Sequence, residues 1–292
     1  MFDGCSSLIS LNITNFNTSS VTSMSGMFSE CKLLNSLNTS NFDTSKVTKM
    51  VNMFNKCSIL ITLDLSDFET TNVETMGYMF YGCSKLNSID LSNFDTSKVE
   101  EMKEMFSYCS SLFSLNLSNF NTSKVITMNS MIQGYSKLIF LDISNFNTSR
   151  VKAMKSMFHG CSSLNTLNLS NFDTSKVITM EYMFSSCSSL MSLDLLNFYT
   201  SSVTIMHKMF NGCSKLISLD LANFDTSCVT NIDCIFYDCP KFEYVNLKKA
   251  KIDSNYTFPN YCYGFPSDLT ICSENEEWST IFNLSEKKCK LY

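Results

Sequence analysis

Proline is almost missing from this chain until its end. The 292 residues hold three prolines, at Pro240, Pro259 and Pro266, so nothing before residue 240 is interrupted by a residue lacking a backbone N–H. Histidine is nearly absent as well. His159 and His207 read as two solvated surface residues, too few and too scattered for a metal site or a catalytic base. No uninterrupted apolar run approaches the roughly 18 residues a membrane-spanning helix needs. Charged residues make up 17%, and the net charge is −5, which argues against a nucleic-acid binder with its basic stripe. A lysine row does occur, at Lys46, Lys98, Lys124 and Lys176, but Asp43, Asp95, Asn121 and Asp173 stand three residues ahead of its members. The chain has no G-x-S-x-G elbow, P-loop, dinucleotide fingerprint or H-E-x-x-H helix. The expectation is a protein that is not an enzyme and carries no cofactor and no metal.

What the chain has is one sentence written over and over. Met recurs at Met1, Met27, Met53, Met79, Met105, Met131, Met157, Met183 and Met209, always 26 residues apart, and a degenerate copy begins at Ile235. A strict period of this length marks a solenoid, in which each unit is one coil stacked on the next. Take the unit from Met157. Leu164, Leu167 and Leu169 give L-x-x-L-x-L, whose last two leucines follow the two-residue period of a strand. Val177 and Met180 then run on to Met183, Phe184 and Cys187, a second segment of extended or short helical form. Phe16, Phe42, Phe68 and their successors to Phe224 share one position and predict a stacked aromatic spine inside the coils. Parallel crossovers are nearly always right-handed. The fold expected is therefore a right-handed β-solenoid of about ten coils, a rod on the order of 50 Å long at about 4.8 Å per coil. Residues 1–248 form the array and 249–292 a tail that caps it.

Between the strand leucines sits a small polar residue that must point outward: Asn116, Asp142, Asn168, Asp194 and Asp220 in successive coils. This ladder is the candidate ligand face. The row Asp43, Glu69, Asp95, Asn121 and Asp173 suggests calcium at first sight. Turn bonding to the Thr and Ser that follow accounts for it instead.

The segment Met79 to Met102, MFYGCSKLNSIDLSNFDTSKVEEM, resembles the BspA-like leucine-rich-repeat surface proteins, in their 26-residue variant found in mycoplasmas and other bacteria. The resemblance covers the array but not the tail. It implies a leucine-rich-repeat-like fold and a cell-surface or secreted adhesion protein, with a protein or glycan ligand on another cell or matrix. It carries no catalytic residues over. The alternative is a structural protein stacking end to end. Met1 already lies on the beat, as though the chain opened in mid-solenoid, and an uncapped first coil suits head-to-tail self-association.

Fourteen cysteines divide into two sets. Nine, from Cys5 to Cys239, share the repeat position that Tyr135 alone interrupts, and are read as buried free thiols filling the core. Five lie off the ladder near the C-terminus: Cys228, Cys234, Cys262, Cys272 and Cys289. A small tail in an oxidising compartment is commonly stapled. The expected bridge joins Cys262 to Cys272 or Cys289. The break Met131-Ile132-Gln133-Gly134-Tyr135 is the clearest departure from the repeat within the array.

Overall fold

A computed structural model of the chain describes residues 1–251, Cys262, Pro266, residues 268–274 and Trp278. The array is built from tight turns. In the coil from Met157, the N–H groups of Cys161, Leu164, Phe172 and Val177 donate three residues back, to Phe158, Cys161, Leu169 and Thr174, at 2.9–3.2 Å. Two residues per coil adopt the left-handed conformation. One precedes the Met-Phe pair (Asn52, Tyr78, Ser130, Tyr182) and one precedes the cysteine position (Lys56, Gly82, Tyr108, Ser186), with φ of 53–70°. A left-handed residue every four positions is incompatible with a helical turn, so the helical alternative for the Met-Phe segment is replaced by paired turns. Their amides point sideways into the next coil. Phe28 N–H donates to Met53 O at 2.9 Å and Glu30 N–H to Asn55 O at 2.7 Å.

The strongest inter-coil ladder is not where the leucines predict it. Parallel bridges run without interruption through the V-x-x-M segments, from Ser23 to Lys49, Thr75, Glu101, Thr127, Ala153, Thr179, Ile205 and Asn231. On the L-x-x-L-x-L side, regular strands form only locally. These are β1 (Ser114–Asn116) with β2 (Phe140–Asp142), and β3 (Ser218–Asp220) with β4 (Tyr244–Asn246) and β5 (Thr270–Cys272). All pairs are parallel and one repeat apart, Ser114 facing Phe140 and Tyr244 facing Thr270. Two causes separate the sides. The residue after each strand segment turns its N–H onto the Asx side chain two back, as Ser118 does to Asn116 and Ser170 to Asn168, both at 3.0 Å. That donor is lost to the ladder. Regular pairing then appears where neighbouring coils carry aromatic or β-branched residues, Phe113 with Ile139 and Phe140, or Ile217 with Tyr244.

Side chains close the remaining gaps. The buried Thr44, Thr70, Thr96, Thr122, Thr148, Thr174 and Thr200 each serve the next coil twice. The Thr96 hydroxyl donates to Asn121 O at 3.0 Å and accepts Asn121 N–H at 2.8 Å. The repeated Asn of S-N-F reaches back one coil: Asn93 Nδ2 donates to the carbonyls of Leu65, Ser66 and Phe68 at 2.9–3.0 Å. Inside run two phenylalanine spines. The Met-Phe rings Phe28, Phe54, Phe80 and Phe106 stack 5.5–5.8 Å apart. The predicted S-N-F spine is looser, at 6.4 Å between Phe42 and Phe68 and between Phe172 and Phe198.

The tail adds a rung. β5 continues the register of β4, Ile271 is buried, and Trp278 lies fully buried with its indole N–H on Ala250 O at 3.0 Å. The expected partner of Cys262 is corrected. Cys262 pairs with Cys234, on the last coil and 28 residues away. Cys234 stands at the left-handed position before a Met-Phe pair (φ 53°), where coils face their successors, so the bridge ties the tail to the array. Cys272 is also disulfide-bonded, and Cys289 lies outside the described residues. No helix among the described residues is long and apolar enough to cross a membrane.

Candidate interaction surfaces

The cysteine ladder has no free reactivity inside the array. Cys31, Cys57, Cys83, Cys109, Cys161, Cys187, Cys213 and Cys239 are buried free thiols. Each donates to a backbone carbonyl 29 residues earlier, as Cys83 does to Phe54 and Cys213 to Phe184, at 3.0–3.2 Å. Burial pushes the Cys57, Cys109, Cys161 and Cys239 thiols up to about 12, so thiolate is suppressed at neutral pH. Cys5 and Cys228 are the exposed free thiols among the described residues.

The outward ladder also has a structural duty. Asn116, Asn168, Asp194 and Asp220 are exposed and Asp142 half-buried. Each accepts the N–H two residues on, at Ser118, Ser170, Leu196, Ala222 and Ser144, at 2.9–3.1 Å. These side chains form the face and simultaneously close its turns. The suspected calcium row does the same: Asp43, Asp95 and Asp173 accept from Ser45, Ser97 and Ser175. Those hydroxyl and amide donors hold their carboxyls below the usual carboxylate range. Among the described residues no group of three His, Cys, Asp or Glu is placed to hold a metal.

Beside the ladder lies an exposed apolar strip. Phe113, just before β1, and Ile139 and Phe140, at the start of β2, lie on adjacent coils at 54–61% exposure, with Ile61, Met191 and Ile217 further along the same side.

A second surface lies on the edge made by the Met-Phe turns, where aromatic and polar residues alternate. Tyr78, Tyr81 and Tyr108 form a herringbone, with ring centroids 5.9 and 5.6 Å apart. The ammonium of Lys103 stands 5.4 Å from the Tyr78 centroid, and Gln133 Nε2 donates to the Tyr108 hydroxyl at 2.8 Å. Further along, Tyr182 lies between His159 and His207, edge-on to both at 6.0 and 5.2 Å. The reading of these histidines as solvated is corrected. Both are half-buried. His159 packs against Ser185 O at 3.1 Å, His207 Nε2 faces the Tyr182 hydroxyl at 3.1 Å, and burial lowers both imidazole pKa values. This edge is hard to see in the sequence, because its few repeat positions are filled by different residue types from coil to coil: Tyr81, Gln133 and His159 share one position, Lys103 and His207 another.

Shallow clefts open between coils at the S-N-F turns. One of about 400 Å³ is lined by Ser40 to Ser45 with Asp67 and Glu69, and another of about 480 Å³, three coils on, by Ser118 to Asn121, Ser123, Asn145 and Asn147.

Four overlapping stretches, residues 1–114, 83–190, 109–216 and 167–265, match the model of a family described as Mycoplasma protein of unknown function, DUF285. No curated protein matches the chain. Among solved structures it is similar to a leucine-rich repeat protein from Bacteroides ovatus, 18% identical over 93% of this chain and 85% of that one, with a TM-score of 0.30. It is also similar to the functional domain of InlJ from Listeria monocytogenes, described as including a cysteine ladder, 15% identical over 92% and 68%, with a TM-score of 0.16.

Proposed function

The chain belongs to the DUF285 family of Mycoplasma proteins of unknown function, and from its repeats we propose a non-enzymatic, cell-surface or secreted interaction protein of the adhesion type. It meets a protein partner on the L-x-x-L-x-L side. The observation that carries this is the strip of Phe113, Ile139 and Phe140. It lies on adjacent coils, is more than half exposed and is bordered by the polar ladder. Exposed apolar surface of this kind marks contact sites. The Cys234–Cys262 disulfide supports an oxidising location outside the cytosol. The non-enzymatic reading draws support from the buried, carbonyl-bonded thiols and from histidines committed to neighbouring groups. The test is binding of the full chain to host-cell surfaces and matrix proteins, compared with a triple variant, Phe113→Ser, Ile139→Ser and Phe140→Ser. The variant should lose binding while remaining folded, its melting temperature lowered by no more than a few degrees through weaker β1–β2 pairing. Binding that survives the triple change, or a wild-type chain that finds no partner on any surface, would sink the reading.

A further inference from the structure

We propose that Tyr78, Tyr81 and Tyr108, with Gln133 and Lys103 at their margin, form a binding site for a neutral saccharide. The argument begins with a residue the backbone does not want. Tyr108 occupies the left-handed position before the cysteine, with φ of 61°. Five of its equivalents are glycine: Gly4, Gly82, Gly134, Gly160 and Gly212. The other equivalents are Glu30, Lys56, Ser186 and Asp238, all left-handed, so the backbone angle belongs to the repeat; what sets Tyr108 apart is an aromatic ring at a position that favours glycine.

The next coil is altered to accept it. A Cβ built on Gly134 would lie 2.5 Å from Cδ1 of Tyr108 and 2.8 Å from Cε1, so only glycine seats the ring. Gln133, one residue before, holds the phenol at 2.8 Å. Both come from the break Met131 to Tyr135, the part of the sequence that the repeat leaves unexplained. The rest of the break keeps the core full. Ile132 gives up a ring of the Met-Phe spine and Tyr135 supplies one at the cysteine position, both fully buried. Tyr108 nevertheless remains 42% exposed, a ring held in one orientation and offered to solvent.

The chemistry of the surroundings selects the ligand. A fixed, exposed Tyr108 ring flanked by the half-buried Tyr78 and Tyr81 suits the apolar C–H face of a sugar, and the Gln133 amide and Lys103 ammonium suit its hydroxyls. Charge is balanced nearby, Lys56 pairing with Glu30 at 2.6 Å and Lys103 lying 4.0 Å from Glu104, which favours a neutral ligand. An extended peptide adding to a strand edge would need free backbone donors. Here Tyr81, Gly82, Tyr108 and Gly134 already give their N–H groups to Tyr78, Ser107, Gln133 and His159. The platform crosses three adjacent coils, on the order of 10 Å, the length of a disaccharide. This site lies on a different edge from the apolar strip and does not rest on the function proposed for it.

The experiment presents the full chain with a panel of neutral di- and trisaccharides (gluco-, galacto- and manno-), read by saturation-transfer NMR and titration calorimetry. At least one should bind, with transfer to its C–H protons. Tyr108→Gly should weaken it about tenfold or more. That variant suits the left-handed backbone, so its melting temperature should not fall. Gly134→Ala should also weaken binding by displacing the ring. The triple variant of the apolar strip should bind saccharide normally, which separates this site from the protein-contact reading. No binding by any neutral sugar, undiminished binding in Tyr108→Gly, or competition by a proline-rich peptide for the same tyrosines would overturn the proposal.

Discussion

In the coil from Met157, the segment Val177 to Met180 is held by its backbone: Ile178 N–H donates to Lys152 O at 2.8 Å and Met180 N–H to Ile205 O at 3.0 Å. Across the same coil, just past Leu169, the link to the next coil is a side chain, the Asn197 amide on Ser170 O at 2.7 Å. A backbone-bonded side fixes the spacing of the coils whatever its outward residues are. A side held at its corners by Asn and Thr leaves the outward positions between them free to vary, and on that side, where β1 and β2 pair locally, the chain places Phe113, Ile139 and Phe140. Proline separates the two sides most sharply. Ile178→Pro removes a ladder donor beneath an exposed side chain and should cost about 3 kcal/mol or more. Asn165→Pro, exposed and without such a bond, should cost less than about 1 kcal/mol. Equal losses in chemical denaturation would show that both sides are backbone-bonded and break the comparison.

The end of the array tests the same contrast where the repeat decays. Interior coils are joined by thiols that only donate to carbonyls, and the last coil is joined to the tail by the Cys234–Cys262 covalent bond across 28 residues. Replacing both cysteines by alanine should remove about 3 kcal/mol from the protection of β4 and β5. Hydrogen exchange at β1 and β2 should stay unchanged, because repeat arrays transmit stability only to neighbours. A uniform loss along the chain would mean the array melts as one unit.

Much of this was legible from the period alone. The spacing of Met, Leu, Phe and Cys gave the coil, its core and its free thiols, because these positions repeat for a single reason, burial. The relative strength of the two sides was not legible. Leucine spacing reports which side chains go inward, whereas the V-x-x-M ladder depends on left-handed residues as unlike as Asn52, Tyr78 and Lys208, which share a backbone angle and no chemistry. The Cys234–Cys262 pair was missed for a related reason: its members belong to different segments, and composition assigned the bridge to the tail. The tyrosine platform draws on three coils and on a break that read only as an irregularity.

Thr96 measures how much the side-chain corner contributes. Its hydroxyl both donates to and accepts from Asn121, so Thr96→Val leaves two part-buried backbone groups without their partner and should cost about 1–3 kcal/mol. A loss below about 0.5 kcal/mol would mean the corner is held by packing alone. Acid should loosen the same side first. Hydrogen bonds from Ser175 and Ser227 hold the Asp173 and Asp225 carboxyls below their ordinary 3.8. Their contribution is complete above that pH and disappears as pH falls through the lowered values. Hydrogen exchange below about pH 3.8 should rise at these turns before it rises at the V-x-x-M bridges.

The smallest effect expected is a gain. The two clefts at the S-N-F turns are lined at equivalent positions, Asp43, Asp67 and Glu69 in one and Asn121, Asn145 and Asn147 in the other. Asn119 and Asn145 reach back one coil as Asn93 does, the latter to Ser118 O. Asp67 stands in that place with no amide to donate, beside carbonyls it can only repel. Asp67→Asn restores the donor and removes one of three neighbouring carboxylates, so it should stabilise the chain by roughly 0.5–1.5 kcal/mol. The gain should shrink as salt is raised, since part of it is relief of like-charge repulsion between exposed groups. Asn145→Asp is the reverse change three coils away and should cost a similar amount. If Asp67→Asn destabilises while Asn145→Asp also does, Asp67 has a partner of its own, and the acidic cleft is not a gap in the asparagine ladder.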